Sequence, residues 1–277
     1  DGLGLSQSAI SKIISDLELV LETQLLERGS RGVELTEGGH VLAGRGRLIF
    51  DELEQAVAEV VRLNDPNQGL IRIGTTEPMT SVISEIIEHV SCDHPRITYD
   101  VVVSDTDTIV EALRERRLDV VITRWVAPLI AEDLSAEVLF QMPLAVMCAR
   151  HHPLAAKTGH DLSDLVGQRW TLSPSETFLG RLVADVFRRK NLPMPEPIVS
   201  SVSIYMRLNL LSGGRFISIL PLTMLRHPMN QSWLVALDAD LTGSTGPIAA
   251  ITLKARREPG PYKLFREAAH RIGATIN

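Results

Sequence analysis

Residues 5–18 read LSQSAISKIISDLE and set the local fold at the start of this chain. Apolar residues recur there at the three- and four-residue spacing of a helix, and we expect them to bury one stripe. They are Ile10, Ile13, Ile14 and Leu17. The opposite face offers amide, hydroxyl and ammonium groups that suit base edges and phosphates, from Gln7, Ser8, Ser11 and Lys12. A helix with such a polar face is typical of DNA recognition. The alternative is an ordinary amphipathic helix whose polar side is solvated.

A glycine-rich turn follows this predicted helix. Residues 25–39 read LLERGSRGVELTEGG, in which Arg28 and Arg31 lie between two apolar runs. The pattern indicates a short two-stranded hairpin whose arginines contact a DNA backbone. Thr36 is a predicted N-cap for a long helix that begins near Glu37. The hairpin favours the DNA-reading helix over the plain amphipathic one.

Together the two segments closely resemble the winged helix-turn-helix of LysR-type transcriptional regulators. The motifs SQSAIS-x₅-LE and LLERGSRGVELTEGG carry the resemblance, in spacing as well as in composition. It implies that the chain starts inside the motif, with roughly two dozen residues of the complete domain ahead of Asp1. The residues expected to contact double-stranded promoter DNA are Ser6, Gln7, Ser8, Ser11, Lys12, Arg28 and Arg31.

Composition bounds the class of protein. With 277 residues and 44% hydrophobic content, the chain is long enough for about two globular domains. No apolar run is long enough to cross a bilayer, and Cys92 and Cys148 lack disulfide-framework or metal spacing, so we expect a cytoplasmic protein without a membrane partner. No nucleophile elbow, phosphate loop, dinucleotide fingerprint or zinc-protease motif occurs, so we expect no catalysis, no cofactor and no metal.

Charge by itself does not point to nucleic acid. The chain carries a formal net charge of -6, and its first 64 residues contain more acids than bases. Lys12, Arg28 and Arg31 nevertheless lie in the elements proposed to contact DNA, so their local placement can supply phosphate contacts.

A long helix is predicted over residues 37–63, and it carries an apolar seam. The seam consists of Leu42, Ile49, Leu53, Val57 and Val60. A single helix cannot bury such a seam alone, so the pattern favours a coiled-coil-like homodimer contact, with docking on the chain's own domain as the alternative. Residues 64–69 read NDPNQG and are expected to form a hinge.

After this hinge the pattern changes to alternating strands and helices. The first series has strands at 70–74, 97–103 and 119–123, with helices at 78–91 and 106–117. This order predicts a parallel sheet covered by helices. The second series has strands at 170–172, 198–201 and 216–220, with helices at 178–190 and 204–211. Strands at 143–149 and 248–254 link the two series, and a helix is predicted at 260–276. Two α/β series connected in this way suggest two lobes with a cleft between them.

This α/β part resembles the effector-binding domain of the LysR family, which is similar to periplasmic solute-binding proteins. The run LRERRLDVVI at residues 113–122 carries the resemblance, with Arg116 where the family has Gly. The predicted fold class is therefore α/β: a partial winged helix-turn-helix, a long linker helix, and a two-lobed effector domain. The expected domains are 1–36, 37–69 and 70–277, with lobe I at 70–143 and 248–277 and lobe II at 144–247. The resemblance also implies a homotetramer built from dimers.

An effector site is expected beyond the carboxyl ends of the strands. The polar residues there are Thr75, Thr76, Ser104, Asp105, Thr106, Arg124, Ser173, Ser175, Thr177, Ser201 and Ser203. Hydroxyls, helix N-termini and Arg124 suit a small carboxylate, although each Ser or Thr alone is also an ordinary cap or turn residue. Arg124 follows a buried strand and matches a position that contacts effector carboxylates in some members of the family, with a surface salt bridge as its alternative.

The kind of effector stays open at this point. Glu77 and Asp105 would oppose a polyanion, which leaves a sugar-like or singly charged ligand. The segments around residues 64–66 and 75–79 look like those of regulators of sugar uptake or aromatic-acid catabolism. A solute-binding receptor of a transport system is the alternative function, since residues 70–277 alone would fit it.

Overall fold

The computed structural model describes residues 6–29, 32–64, 68–125, 132–254, 256 and 260–276. The chain divides into two compact units, Asp1–Val61 and Arg62–Asn277. Within the described ranges, no helix combines the length and the apolar character that crossing a membrane requires.

The first unit contains the predicted helix, hairpin and long helix. Its elements are α1 (Gln7–Leu21), β1 (Leu26–Gly29), β2 (Gly32–Leu35) and α2 (Glu37–Asn64). The two strands pair antiparallel, with Arg28 opposite Val33. Helix α1 begins after Ser6, whose hydroxyl accepts a hydrogen bond from the amide of Ala9 at 3.3 Å. The winged arrangement expected from residues 5–39 is therefore confirmed.

Two side chains tie the hairpin to the helices on either side. The carboxylate of Glu18, near the end of α1, accepts hydrogen bonds from the amides of Leu25 and of the next residue, at 2.7 and 3.1 Å. The hydroxyl of Thr36 accepts from the amide of Gly39 at 3.0 Å, which makes it the N-cap of α2 as predicted. Gly39 is needed there, because a Cβ at this position would collide with the carbonyl oxygen of Leu25.

The apolar stripe of α1 is not buried, so that part of the expectation was wrong. Ile10, Ile13 and Leu17 are 42%, 49% and 41% exposed, and only Ile14 reaches half-burial. An amphipathic pattern shows which face can be buried, but burial requires an element to cover it. The described residues of the first unit place no such cover over these side chains.

The second unit alternates strands and helices through most of its length. Its first half contains β3 (Gly69–Thr75), α3 (Thr80–Asp93), β4 (Ile97–Val103), α4 (Thr106–Arg114), β5 (Val120–Arg124) and β6 (Leu134–Met142). Its second half contains β7 (Leu144–Ala149), α5 (Leu162–Leu165), β8 (Thr171–Leu172), α6 (Phe178–Arg189), β9 (Val199–Ser200), α7 (Ile204–Ser212), β10 (Ile217–Pro221), α8 (Pro228–Gln231), β11 (Leu234–Ala236), β12 (Gly246–Leu253) and α9 (Tyr262–Ala274). Strands β6 and β11 were not predicted.

The strands form two groups, which we call the two lobes. The sheet of lobe I has the order β4-β3-β5-β12-β6, with α3 and α9 in the core on one face and α4 in the core on the other. Lobe II contains the sheet β10-β7-β11 and the pair β8-β9, which a single bridge from Trp170 to Ile217 joins to β10. Each lobe has its own apolar core, and that of lobe II is centred on Trp170 and Phe187.

The lobe I sheet contains the expected parallel strands and, in addition, one antiparallel strand that the series did not include. Strand β3 pairs parallel with β4 and β5, as the βαβαβ order predicts. Strand β12 pairs antiparallel with both β5 and β6. It enters the sheet after the chain has passed through lobe II, so it does not follow the right-handed crossover that makes neighbouring strands parallel.

The end of α4 differs from the prediction for a reason that involves Arg116. The helix ends at Arg114 instead of Arg117, and Arg116 has a φ of 60°, in the left-handed region. The amide of Arg117 donates to the carbonyl of Ala112 at 2.9 Å, which is the closing bond of a Schellman motif. That motif needs a left-handed residue, so Arg116 adopts a conformation that glycine takes more easily, at a cost of roughly 1–2 kcal/mol.

Candidate functional site

The predicted DNA-contacting face of α1 is open to solvent. Ser6, Gln7, Ser8, Ser11 and Lys12 are all exposed, at the N-cap and along the first turns of the helix. The hydroxyls of Ser6 and Ser8 lie 2.9 Å apart, so these two side chains also hydrogen-bond to each other. These five residues are therefore accessible to a partner, as the predicted recognition helix requires.

The side chains of the two hairpin arginines are outside the part of the chain that the structure describes. Arg28 lies in β1 at the hairpin end of the strand, and its side chain is outside the described part. Arg31 lies wholly outside the described residues.

At the strand ends of lobe I, most predicted site residues support the local backbone. Thr75 is buried, and its hydroxyl donates to the carbonyl of Ile122 at 2.8 Å. The side chain of Asp105 caps α4 by accepting from the amide of Thr108 at 2.9 Å and from its hydroxyl at 2.7 Å, which lowers the pKa of this carboxyl. Ser104 joins the ends of β3 and β4 through its amide, which donates to the carbonyl of Thr75 at 3.1 Å.

Two further lobe I candidates adjoin these residues. Thr76 precedes the short 3₁₀ turn Glu77–Met79 and makes no side-chain capping bond, and Thr106 is the first residue of α4. Both are half-buried.

The candidates of lobe II lie at two helix N-termini. The hydroxyl of Thr177 caps α6 by accepting from the amide of Gly180 at 3.1 Å. That of Ser203 caps α7 by accepting from the amide of Met206 at 3.3 Å, and Ser201 in turn accepts from the amide of Ser203 at 3.2 Å. The remaining two lie before α6: Ser173 is buried, and Ser175 is exposed beside Glu176. The capping alternative therefore holds for Thr177 and Ser203.

Arg124 reaches from lobe I to the start of α6 in lobe II. Its guanidinium donates from Nη2 to the carbonyl of Ser244, and its Cζ lies 6.0 Å from the centre of the Phe178 ring. Gly246 leaves room for it, because a Cβ there would lie 2.5 Å from Nη2. Nη1 is buried and has no hydrogen-bond partner among the described residues. Burial lowers the pKa of Arg124 to about 10, so the group stays protonated at neutral pH.

Glu77 makes a second contact between the lobes, one that sequence reasoning missed. Its Oε1 accepts hydrogen bonds from the amides of Ile204 and Tyr205 at 2.8 and 3.3 Å and from the hydroxyl of Ser203 at 3.4 Å. A lobe I carboxylate thus occupies the N-terminus of α7, where the helix dipole favours negative charge. The sequence showed only that Glu77 would oppose a polyanion.

Arg207 lies behind this contact and was also missed. It is 1% exposed, and its Nη1 lies 3.5 Å from the carbonyl of Ile219. Burial lowers the pKa of Arg207 to about 10, and the charge of Glu77 acts in the opposite direction. A signal was present in the sequence, because Arg207 has helical spacing with Ile204 and Leu211, which are both buried.

The structure thus brings two sets of candidates together. Arg124 meets the α6 N-terminus that Thr177 caps, and Ser201 and Ser203 meet Glu77 at the α7 N-terminus. Asp105 and Ser104 form a separate cluster with Thr108 at the end of β4.

Comparison with known proteins agrees with this architecture. Residues 1–40 match the family model described as bacterial regulatory helix-turn-helix protein, lysR family, and residues 64–273 match the LysR substrate binding domain. The chain belongs to the LysR family of bacterial transcriptional regulators. A transport receptor would not account for the match over residues 1–40.

Individual relatives span most of this LysR-type regulator. It is 27% identical to the HTH-type transcriptional regulator GbpR of Azospirillum brasilense over 266 residues, which are 95% of this chain and 73% of that protein. Full-length CbnR complexed with its target DNA has a TM-score of 0.67 at 20% identity, covering 98% of this chain and 91% of that one. The effector binding domain of QuiR in complex with shikimate has a TM-score of 0.59 at 22% identity, covering 75% of this chain and 98% of that one. This regulator therefore combines a DNA-binding helix-turn-helix part with an effector-binding domain.

Proposed function

We propose that this LysR-type regulator binds a small carboxylate between its lobes and that Arg124 anchors the carboxylate. The observation that carries the proposal is the buried Nη1 of Arg124, which has no hydrogen-bond partner among the described residues. A guanidinium left in this state favours an anionic partner, since charge-assisted hydrogen bonds are about twice as strong as neutral ones. The neighbouring N-terminus of α6 adds partial positive charge.

The chemistry of a related domain supports the same class of ligand. QuiR is described in complex with shikimate, which carries one carboxylate and several hydroxyls. Hydroxyls of Thr76, Thr106 and Ser175 remain candidates for the uncharged part of an effector. A sugar-like effector without a carboxylate is the second candidate, and Arg124 would then bind a hydroxyl.

We also propose that the exposed face of α1 reads promoter DNA. Ser6, Gln7, Ser8, Ser11 and Lys12 would contact bases and phosphates, with Arg28 and Arg31 on the backbone. CbnR, similar in fold over 98% of this chain, is described in complex with its target DNA. The proposed partner is therefore double-stranded DNA, and the proposed place of action is the cytoplasm.

Two copies of the chain would bind through α2. Ile49, Leu53, Val57 and Val60 are 68%, 58%, 56% and 61% exposed along one seam of this helix, and Leu42 is 37% exposed. An exposed apolar seam of this kind is the pattern of a coiled-coil-like contact. A dimer would place two recognition helices in successive major grooves, and pairs of dimers would form a tetramer.

In the proposed mechanism, the effector acts through the lobes and not through catalysis. An effector in the cleft would change the relative position of the two lobes of residues 70–277. The helix over residues 37–69 would transmit this change and so alter the spacing of the DNA contacts made by residues 1–36. The domain boundaries and the tetramer are part of this proposal.

Two measurements test it. A thermal-shift screen of small carboxylates and sugars should find ligands that raise the melting temperature by mass action. A gel-shift assay on promoter DNA near the gene, with the complete protein, should show sequence-specific retardation that these ligands alter. A protein that retards no such DNA would overturn the DNA part, and a screen in which only uncharged sugars bind would replace the carboxylate.

The contribution of Lys12 has its own test. Lys12→Ala should weaken DNA binding across sequences and reduce the salt dependence by about one phosphate contact if Lys12 meets phosphate. It should relax preference at one base pair if Lys12 reads guanine. Lys263→Ala, an exposed lysine on α9, is the matched control and should leave DNA binding unchanged.

A further inference from the structure

The N-terminus of α7 is already occupied by the chain itself. Glu77 accepts from the amides of Ile204 and Tyr205, and Ser203 accepts from the amide of Met206. Amides at a helix start are the groups that otherwise bind an anionic ligand. Glu77 thus stands where a ligand carboxylate would bind.

The charges along this side of the cleft can be counted. Arg207 is 1% exposed and interacts electrostatically with Glu77. No carboxylate of the described residues lies within 4.0 Å of Arg124, whose Nη1 has no hydrogen-bond partner there. Arg124 therefore has a buried nitrogen left for a ligand.

Arg124 and Glu77 also lie at the carboxyl ends of two neighbouring strands, Arg124 as the last residue of β5 and Glu77 at the start of the 3₁₀ turn that follows β3. Thr75 pairs with Ile122 on the adjacent strands β3 and β5, and Glu77 and Arg124 each follow that pair by two residues. Adjacent strands lie about 4.8 Å apart. Both side chains reach lobe II from these strand ends, so a ligand that Arg124 binds lies on the side of the cleft that also holds the Glu77 carboxylate.

From this arrangement we infer that Glu77 determines specificity by restricting the effector to a single anionic group. A second carboxylate on the ligand would meet Glu77, which already holds the α7 amides, and like charges brought together in a desolvated site repel each other strongly. An amide or hydroxyl in the same place meets no such repulsion and can donate to Glu77. The inference rests on the proposed carboxylate site at Arg124.

The experiment compares matched probes that differ only in the second charge. Succinamate and succinate, glutaramate and glutarate, and 4-carbamoylbenzoate and terephthalate are titrated calorimetrically into the whole chain. We expect any pair that binds to favour the monoanion at least tenfold. This comparison uses the unmodified protein, so it does not depend on how a variant folds.

A variant then assigns the effect to Glu77. Glu77→Gln keeps an oxygen that accepts from the α7 amides and removes the charge, so the dianion should bind about tenfold more tightly while the monoanion changes less than threefold. Glu88→Gln removes an equal charge from the exposed face of α3 and should leave the ratio unchanged.

The outcomes separate the two proposals. Equal binding of both members of a pair, or a ratio that Glu77→Gln does not change, would overturn the role of Glu77 and leave the Arg124 site standing. If none of the probes binds the unmodified protein, or if binding is indifferent to Arg124→Ala, the carboxylate site fails and the inference fails with it.

Discussion

Helices α6 and α7 of lobe II begin in similar ways but meet opposite charges from lobe I. Both have a hydroxyl cap, from Thr177 and Ser203. The start of α6 lies near Arg124, whereas that of α7 accepts the carboxylate of Glu77. A carboxylate complements a helix N-terminus, while a guanidinium beside one leaves two positive centres together. One end of the cleft therefore lacks an anion, and the chain has supplied the anion at the other.

The largest expected effect concerns the end that lacks an anion. Arg124→Ala should reduce the affinity for any carboxylate effector by roughly 30-fold or more, since truncating one partner of a buried charge pair costs about 2–5 kcal/mol. DNA binding without effector should be retained, as a gel shift would show. Arg169→Ala is the control, because Arg169 stacks over Phe216 in lobe II as Arg124 does over Phe178. Loss of both ligand and DNA binding would indicate misfolding instead.

The next effect concerns the occupied end. Glu77→Ala removes an acceptor from two amides of α7 and the charge opposite Arg207, so the free energy of unfolding should fall by about 2 kcal/mol. Glu77→Gln should lose about half as much, because it keeps the hydrogen bonds. Urea denaturation of the three proteins measures both values. Equal stability of all three would show that the contact between the lobes contributes little.

A smaller effect is expected at the cap of α6. Thr177→Ala removes the acceptor of the Gly180 amide and should lower the free energy of unfolding by about 1 kcal/mol. Thr177→Ser keeps the hydroxyl and serves as the control. If Thr177 serves only to cap the helix, Thr177→Ala should leave the ratio of monoanion to dianion affinity unchanged.

The smallest effect is expected at the cap of α7. Ser203→Ala removes the acceptor of the Met206 amide, but Glu77 still holds the two preceding amides, so the loss should be about 0.5 kcal/mol. Urea denaturation again measures this loss, with Thr177→Ala measured in parallel for comparison. A loss larger than that of Thr177→Ala would mean that Glu77 does not support this helix start.

The sequence predicted elements well wherever neighbouring residues decide them. Strand β4 has the expected bounds, Ile97–Val103, and Thr36 caps α2. The end of α4 was misplaced because arginine does not indicate the left-handed conformation that the Schellman motif imposes, and the glycine that the family has at this position was the one sign of it. The stripe of α1 was predicted correctly as a pattern and wrongly as a buried face, since burial depends on a covering element.

The candidate site shows the same limit. Arg124 was placed at a strand end because the apolar run before it is local. The partner of Glu77 was not predictable, since Ile204 is 127 residues away along the chain. Nor does a pattern along β12 show that this strand runs antiparallel to β5.

By itself the sequence determined the Thr36 cap of α2, the apolar periods, the hairpin and the family motifs, because these depend on residues within a few positions of one another. The tertiary structure alone decided that Arg124 keeps a buried nitrogen without a partner among the described residues and that the Glu77 carboxylate occupies the start of α7. These depend on groups that approach only when both lobes have formed, and burial then sets how strongly their charges interact.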